Sequence, residues 1–121
     1  MNNAFQELYK AVINDRKYSE WSQQKTLAQR AQFLLGEIEE LKEAIITENP
    51  KNVKEELGDV IWLAMTMVAL AEEKGLFTAD EVFNSTLSKI KERKPFIFTG
   101  EYVSLEEEAK QWKETKLREK K

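Results

Sequence analysis

The chain has 121 residues, 34% of them charged and 41% hydrophobic, with neither Cys nor His. Disulfides, thiolate or imidazole metal ligands, and mechanisms built on a Cys or His nucleophile or base are thereby excluded. Any metal must sit on oxygen, and acid or base chemistry falls to carboxylates, Lys or Tyr, with Glu the foremost candidate at 19 residues against three Asp.

The 31 Leu, Ile, Val and Phe residues suffice for a folded core, and the length suits one domain over residues 1–121. The net charge of −3 conceals an asymmetry, with −6 through residue 84 and +3 from residue 85 onward. An acidic body with a basic end lacks the broad basic face that tracks duplex nucleic acid. It suits a small polyanion held through a bridging cation. Met1 to Leu8 lacks the basic and then apolar character of a secretory signal. The longest apolar run, Val60 to Ala71, is short of the ~20 residues a bilayer needs. A cytoplasmic protein without a membrane partner is expected.

Four Gly and two Pro are too few for the turns of an all-β domain, so an all-α fold is predicted. Ala4, Phe5, Leu8, Ala11 and Val12 mark a first amphipathic helix ending before Asn14 to Tyr18. Leu27, Ala31, Leu34, Ile38, Leu41 and Ile45 step by three and four, predicting a second helix from Ser22 to Thr47, stopped by Asn49-Pro50. A third helix is expected from Asn52, as N-cap, to Gly75, as the left-handed residue after its end. Thr78 and Glu81 form a capping-box pattern that opens a fourth helix, ended by Pro95. Residues 95–100 read as extended. Ser104 and Glu107 open a last helix carrying Trp112 and Lys116 on one face, its final residues, Arg118 to Lys121, fraying. The expected architecture is a bundle of four main helices plus a short C-terminal helix.

Two acidic pairs spaced by three stand out, Glu37 with Glu40 and Glu56 with Asp59. At about 100° per residue, with Leu34 at 0°, Glu37 falls at about 300° and Glu40 at about 240°, so both flank the apolar stripe. Glu39 and Glu43 lie opposite. Antiparallel packing of two helices joined by a short turn brings the pairs together, and four converging carboxylates require protonation or a cation. An oxygen-only shell suits Mg²⁺ or Mn²⁺. Spacing alone leaves solvated helix faces as the competing reading. Lys89 and Arg93, four apart, share a face that suits phosphate oxygens or serves as solubilising charge. Trp112 stacks on a base or closes the core, while Trp62, Met65 and Met67 belong to the core.

The stretch Leu34 to Ile45, with Glu37, Glu39, Glu40 and Glu43, followed by Glu55-Glu56-Leu57-Gly58-Asp59, resembles the signature of the MazG-type nucleoside triphosphate pyrophosphohydrolases. The resemblance continues through Ala71 to Gly75, the basic segment Lys89 to Phe98, and Trp112 to Lys116. It implies an all-α, Mg²⁺-dependent enzyme, a homodimer or homotetramer, hydrolysing a nucleoside triphosphate to monophosphate and pyrophosphate in nucleotide-pool housecleaning. It further implies metal on Glu37, Glu40, Glu56 and Asp59 and substrate contacts from Lys89, Arg93, Trp112 and Lys116; a carboxylate not fully engaged by metal would accept the water's proton, and Glu40 is the candidate for it. Around Trp21 the family often shows Cys-Pro-Trp-Asp, where this chain has Glu20-Trp21-Ser22-Gln23. Two alternatives stand beside it. A phosphoribosyl-ATP pyrophosphohydrolase-like enzyme typically has Leu-Tyr-His after the second acidic motif, against Val60-Ile61-Trp62 here. A non-catalytic helical nucleotide-binding or interaction module would leave its acids solvated.

Overall fold

The computed structural model describes residues 3–120, and among them every regular element is helical. The helices are α1 (Ala4–Tyr18), α2 (Glu20–Gln24), α3 (Leu27–Ile46), α4 (Pro50–Glu73), α5 (Ala79–Arg93), α6 (Phe96–Thr99) and α7 (Leu105–Glu119). The all-α expectation holds, with α2 and α6 as added short pieces. None of the helices is long and apolar enough to cross a membrane. The described chain forms two compact units, one ending at Ala79 and the other beginning at Asp80.

In the first unit α1 does not stop at Asn14. It runs to Tyr18 because Arg16, a polar residue in the expected break, is buried and fully engaged: its guanidinium donates to Glu73 and to Ser22. The long helix expected from Ser22 is broken in two. Ser19 caps α2 through Ser22 N–H, and Thr26 caps α3 in a reciprocal box with Gln29, each side chain bonding the other's backbone N–H. Periodicity does not register this interruption, because the apolar stepping begins only at Leu27 and says nothing of the polar residues before it.

The α3–α4 turn fixes the site. Glu48 takes a left-handed conformation at φ 54°, and Asn49 N–H reaches back to the Ala44 carbonyl. The Asn49 side chain then accepts from Asn52 N–H, so Asn49, not Asn52, is the cap of α4. Pro50 occupies the first turn, where a missing N–H costs nothing, and so starts this helix as well as ending the last. At the far end Gly75, at φ 75°, closes α4 as expected, with Leu76 N–H bonded to the Ala71 carbonyl. α4 packs against both α3 and α1. Val12, Met65 and Ala69 are buried together, with Leu8, Tyr9, Ile13 and Trp62 against them.

In the second unit α5 begins directly after Thr78 and ends at Arg93. The segment expected to be extended is one helical turn, α6, because Ile97 and Phe98 N–H bond the carbonyls of Lys94 and Pro95. Pro95 blocks continuation of α5 yet holds the φ a new turn needs, and Gly100, at φ 81°, ends it. Ser104 caps α7 through Glu107 N–H. This last helix has 15 residues, as many as α1, so it is not short, and it stays helical to Glu119 where fraying was expected; Lys121 lies outside the described residues.

Candidate active site

The packed face of α3 is rotated from the stripe the apolar residues suggest. Ala44 and Arg30 are buried, while Ile38 and Ile45 are 42% and 55% exposed. On the same wheel as before, Arg30 falls at about 320° and Ala44 at about 280°, so Glu37, at about 300°, lies on the packed side between them, next to the half-buried Leu41 and Leu34, while Glu40 is exposed outside it.

Across from it α4 presents Glu56 and Asp59. One carboxylate oxygen from each of Glu37, Glu56 and Asp59 lies within 4.8 Å of the other two. Glu40 is not one of these three, but it lines the same cleft as Glu37 and Asp59. Three of the four predicted acids therefore share a focus, and the fourth stands beside it.

The electrostatics of this focus are unsatisfied. The Glu37 Oε2 and Glu56 Oε2 atoms are buried without a hydrogen-bond partner. As ionised groups, facing carboxylates have only acceptors to offer one another, and they pair only by sharing a proton. Burial, first, then hydrogen bonding of the protonated form to Glu56 and Glu40, then the charges of Glu40 and Asp59, push the Glu37 carboxyl up to about 7. A hard divalent cation answers each of these demands. Hard oxygen donors without a soft ligand nearby fit Mg²⁺ or Mn²⁺.

The cleft lined by Glu37, Glu40 and Asp59 has a volume of about 510 Å³. Asp15, Trp21, Arg30, Phe33 and Trp62 also line it. Trp21 stacks on Phe33 with ring centroids 5.8 Å apart and planes 20° apart. Lys25 Nζ stands 5.3 Å from the Trp21 ring centre. Trp62 was assigned to the core. It does pack against the core, but only half-buried, and its remaining face is cleft wall. Asp15, Arg30 and Phe33 were missed. Arg30 had a visible signal, being one turn before Leu34 and two before Glu37, a cation in line with the inward face.

The basic residues gather in the second unit. Arg93 Cζ and Lys116 Nζ each lie 4.8 Å from the Trp112 ring centre. Trp112 is 39% exposed, so it does not close a core; it is a platform between two cations beside a hollow lined by Leu105 and Ala109. Arg93 also forks onto Glu119, Nε and Nη2 reaching Oε1 at 3.0 and 2.9 Å. Hydrogen bonding from Arg93 holds the Glu119 carboxyl below its ordinary range, with Lys116 and Lys89 adding charge attraction. Arg93 and Lys116 thus each contact Trp112, while Lys89 contributes only its charge to the attraction on Glu119.

Residues 25–98 match the model of the MazG nucleotide pyrophosphohydrolase domain. The chain belongs to that family. It is 34% identical over 103 residues to a nucleoside triphosphate pyrophosphohydrolase of Mycolicibacterium smegmatis, covering 84% of this chain and 32% of that protein. It is 36% identical over 101 residues to the nucleoside triphosphate pyrophosphohydrolase/pyrophosphatase MazG of Thermotoga maritima, covering 84% and 38%. The chain thus spans about a third of the length of these curated relatives. The crystal structure of a MazG-related protein from Thermotoga maritima superposes with a TM-score of 0.87 at 31% identity, covering 92% of this chain and 97% of that one.

Proposed function

We propose that the protein is a Mg²⁺-dependent nucleoside triphosphate pyrophosphohydrolase. The observation that carries this reading is the focus of Glu37, Glu56 and Asp59 oxygens within 4.8 Å of one another, two of these residues holding buried oxygens that nothing satisfies. These three residues, with Glu40 beside them, are the metal-holding set. Bound there, a divalent cation neutralises triphosphate charge and lowers the pKa of a water.

Glu40, exposed outside the packed side and outside the three-residue focus, accepts the proton of the attacking water. Attack at the α phosphorus breaks the α–β anhydride and releases pyrophosphate. In the aromatic wall, Trp21, stacked on Phe33, offers a face to a planar ring. Lys89, Arg93 and Lys116 take phosphate oxygens, and Trp112 takes the base. Residues 1–121 act as one domain in this reading, in the cytoplasm, removing unwanted nucleotides. A homodimer or homotetramer accords with Ile45, Ile46, Leu57 and Ile61, which stay 45–66% exposed on α3 and α4.

Product analysis tests the proposal. Each canonical nucleotide is incubated with Mg²⁺, with EDTA, and with Mg²⁺ restored. Monophosphate and pyrophosphate are expected, lost with EDTA and recovered with metal. Diphosphate and orthophosphate as primary products overturn the assignment, and absence of both turnover and Mg²⁺-dependent nucleotide binding leaves a helical interaction module.

A further inference from the structure

Two guanidinium groups converge on one serine in the first unit. Ser22 is fully buried, and Arg16 and Arg30 are 9% and 1% exposed. Arg30 Nη2 donates to the Ser22 carbonyl at 2.7 Å and to its Oγ at 2.9 Å, and Nε donates to the Lys25 carbonyl at 3.4 Å. Arg16 Nη1 donates to the same two Ser22 atoms.

Their charges are treated differently. Arg16 is compensated by Glu73, at 2.7 Å from its Nε. Among the described residues Arg30 has no carboxylate in ion-pair contact and Nη1 makes no hydrogen bond. The Trp21 ring, 6.0 Å from Cζ, offers only a weak π contact, and Arg16 adds repulsion. Burial and that repulsion lower the Arg30 pKa, with Asp15 and Glu73 opposing from a distance.

An uncompensated buried cation is costly unless an anion joins it. Arg30 has no carboxylate within ion-pair distance, yet it lines the cleft that also holds Glu37 and Asp59. We infer that Arg30 is a binding residue for a polyphosphate oxygen in this cleft, its guanidinium locked by Ser22 and Lys25 so that Nη1 remains free to donate. The inference deepens the hydrolase reading and rests on it for the nature of the ligand. Fixed by backbone carbonyls on one edge, the guanidinium loses little freedom when the anion arrives.

The probe is inorganic tripolyphosphate, titrated calorimetrically in Mg²⁺ into the full chain and into Arg30→Gln, Arg30→Lys and Ser22→Ala, with melting followed by circular dichroism. Arg30→Gln is expected to weaken binding about 10- to 100-fold, the worth of a charge-assisted hydrogen bond. Arg30→Lys is expected to lose part of that, since one ammonium cannot hold Ser22 and Lys25 and also donate to phosphate. Ser22→Ala keeps the carbonyl anchor and is expected to keep most of the affinity even where it melts earlier.

Should Arg30→Gln fail to fold, folded Arg30→Lys with weakened binding supports the site and with wild-type affinity overturns it. Wild-type affinity in folded Arg30→Gln overturns it as well. So does an equal loss in Ser22→Ala, which makes Arg30 only a clamp. If tripolyphosphate binding depends on Arg30 while no nucleotide is hydrolysed, the anion site stands and the hydrolase reading falls. If nucleotides are hydrolysed and Arg30 is indifferent, the reverse holds.

Discussion

The acidic focus of α3 and α4 and the basic cluster of α5 and α7 are built from the same local device, charged residues three or four apart on helices. In the first, Glu37 and Glu56 keep buried oxygens with no donor, and Glu37 is driven toward the protonated form. In the second, Arg93 is answered by Glu119 and by the Trp112 ring. Charge left unanswered under burial is a demand for a ligand. Charge already answered has to exchange partners before it binds one, at a cost softened because Arg93 and Glu119 remain partly exposed.

The sharpest break of this comparison is removal of the unanswered charges. Glu37→Gln, Glu56→Gln and Asp59→Asn are each expected to lower pyrophosphate release by at least about 100-fold while the far-UV spectrum stays that of the wild type. Glu39→Gln and Glu43→Gln, exposed on the far side of α3, are expected to retain activity. Equal losses at these two would show that burial and convergence do not mark the site.

Next in size, Lys89→Ala and Arg93→Ala are expected to weaken a nonhydrolysable nucleoside triphosphate by ~1.5 to 3 kcal/mol, with Mg²⁺ binding in its absence unchanged. Arg93→Lys should recover only part of the loss, because the planar fork is gone. Calorimetric titration of both ligands separates the two regions: a change in Mg²⁺ affinity alone would assign the basic cluster to the wrong function.

A third test uses pH. The folded-state pKa of Glu37, about 7, is above its ordinary value of 4.5. Below both values the group is protonated in folded and unfolded chains alike. Between them the unfolded chain releases its proton while the folded one keeps it, so metal-free stability is expected to fall as pH rises from about 4.5 to about 7, by roughly 1 to 3 kcal/mol. Urea unfolding in EDTA should show this decline in the wild type and a flatter profile in Glu37→Gln. A decline of the same size in both would place the titration elsewhere.

The smallest effect belongs to the answered charge. Glu119→Gln releases Arg93 from its fork and is expected to strengthen triphosphate binding modestly, with little change in melting temperature. Weaker binding in this variant would mean that Glu119 orients Arg93 for its ligand and does not compete with it.

The sequence by itself was enough for the helical class, the cap at Ser104 and the left-handed Gly75, because each depends on the chain's own turn within a few residues. It failed where a partner across space decides. Arg16 carried α1 through an apparent break by reaching Glu73, 57 positions away, and Ile38 and Ile45 were left half out while Glu37 was drawn half in. Periodicity reports which residues share a side of a helix, but desolvation depends on what the neighbouring helix places there. Only the packing of α3 on α4 could turn an ordinary glutamate into one that holds its proton to about 7, and only the fold of α1 and α2 onto the start of α3 could bury Arg30 on Ser22 with no carboxylate in ion-pair contact.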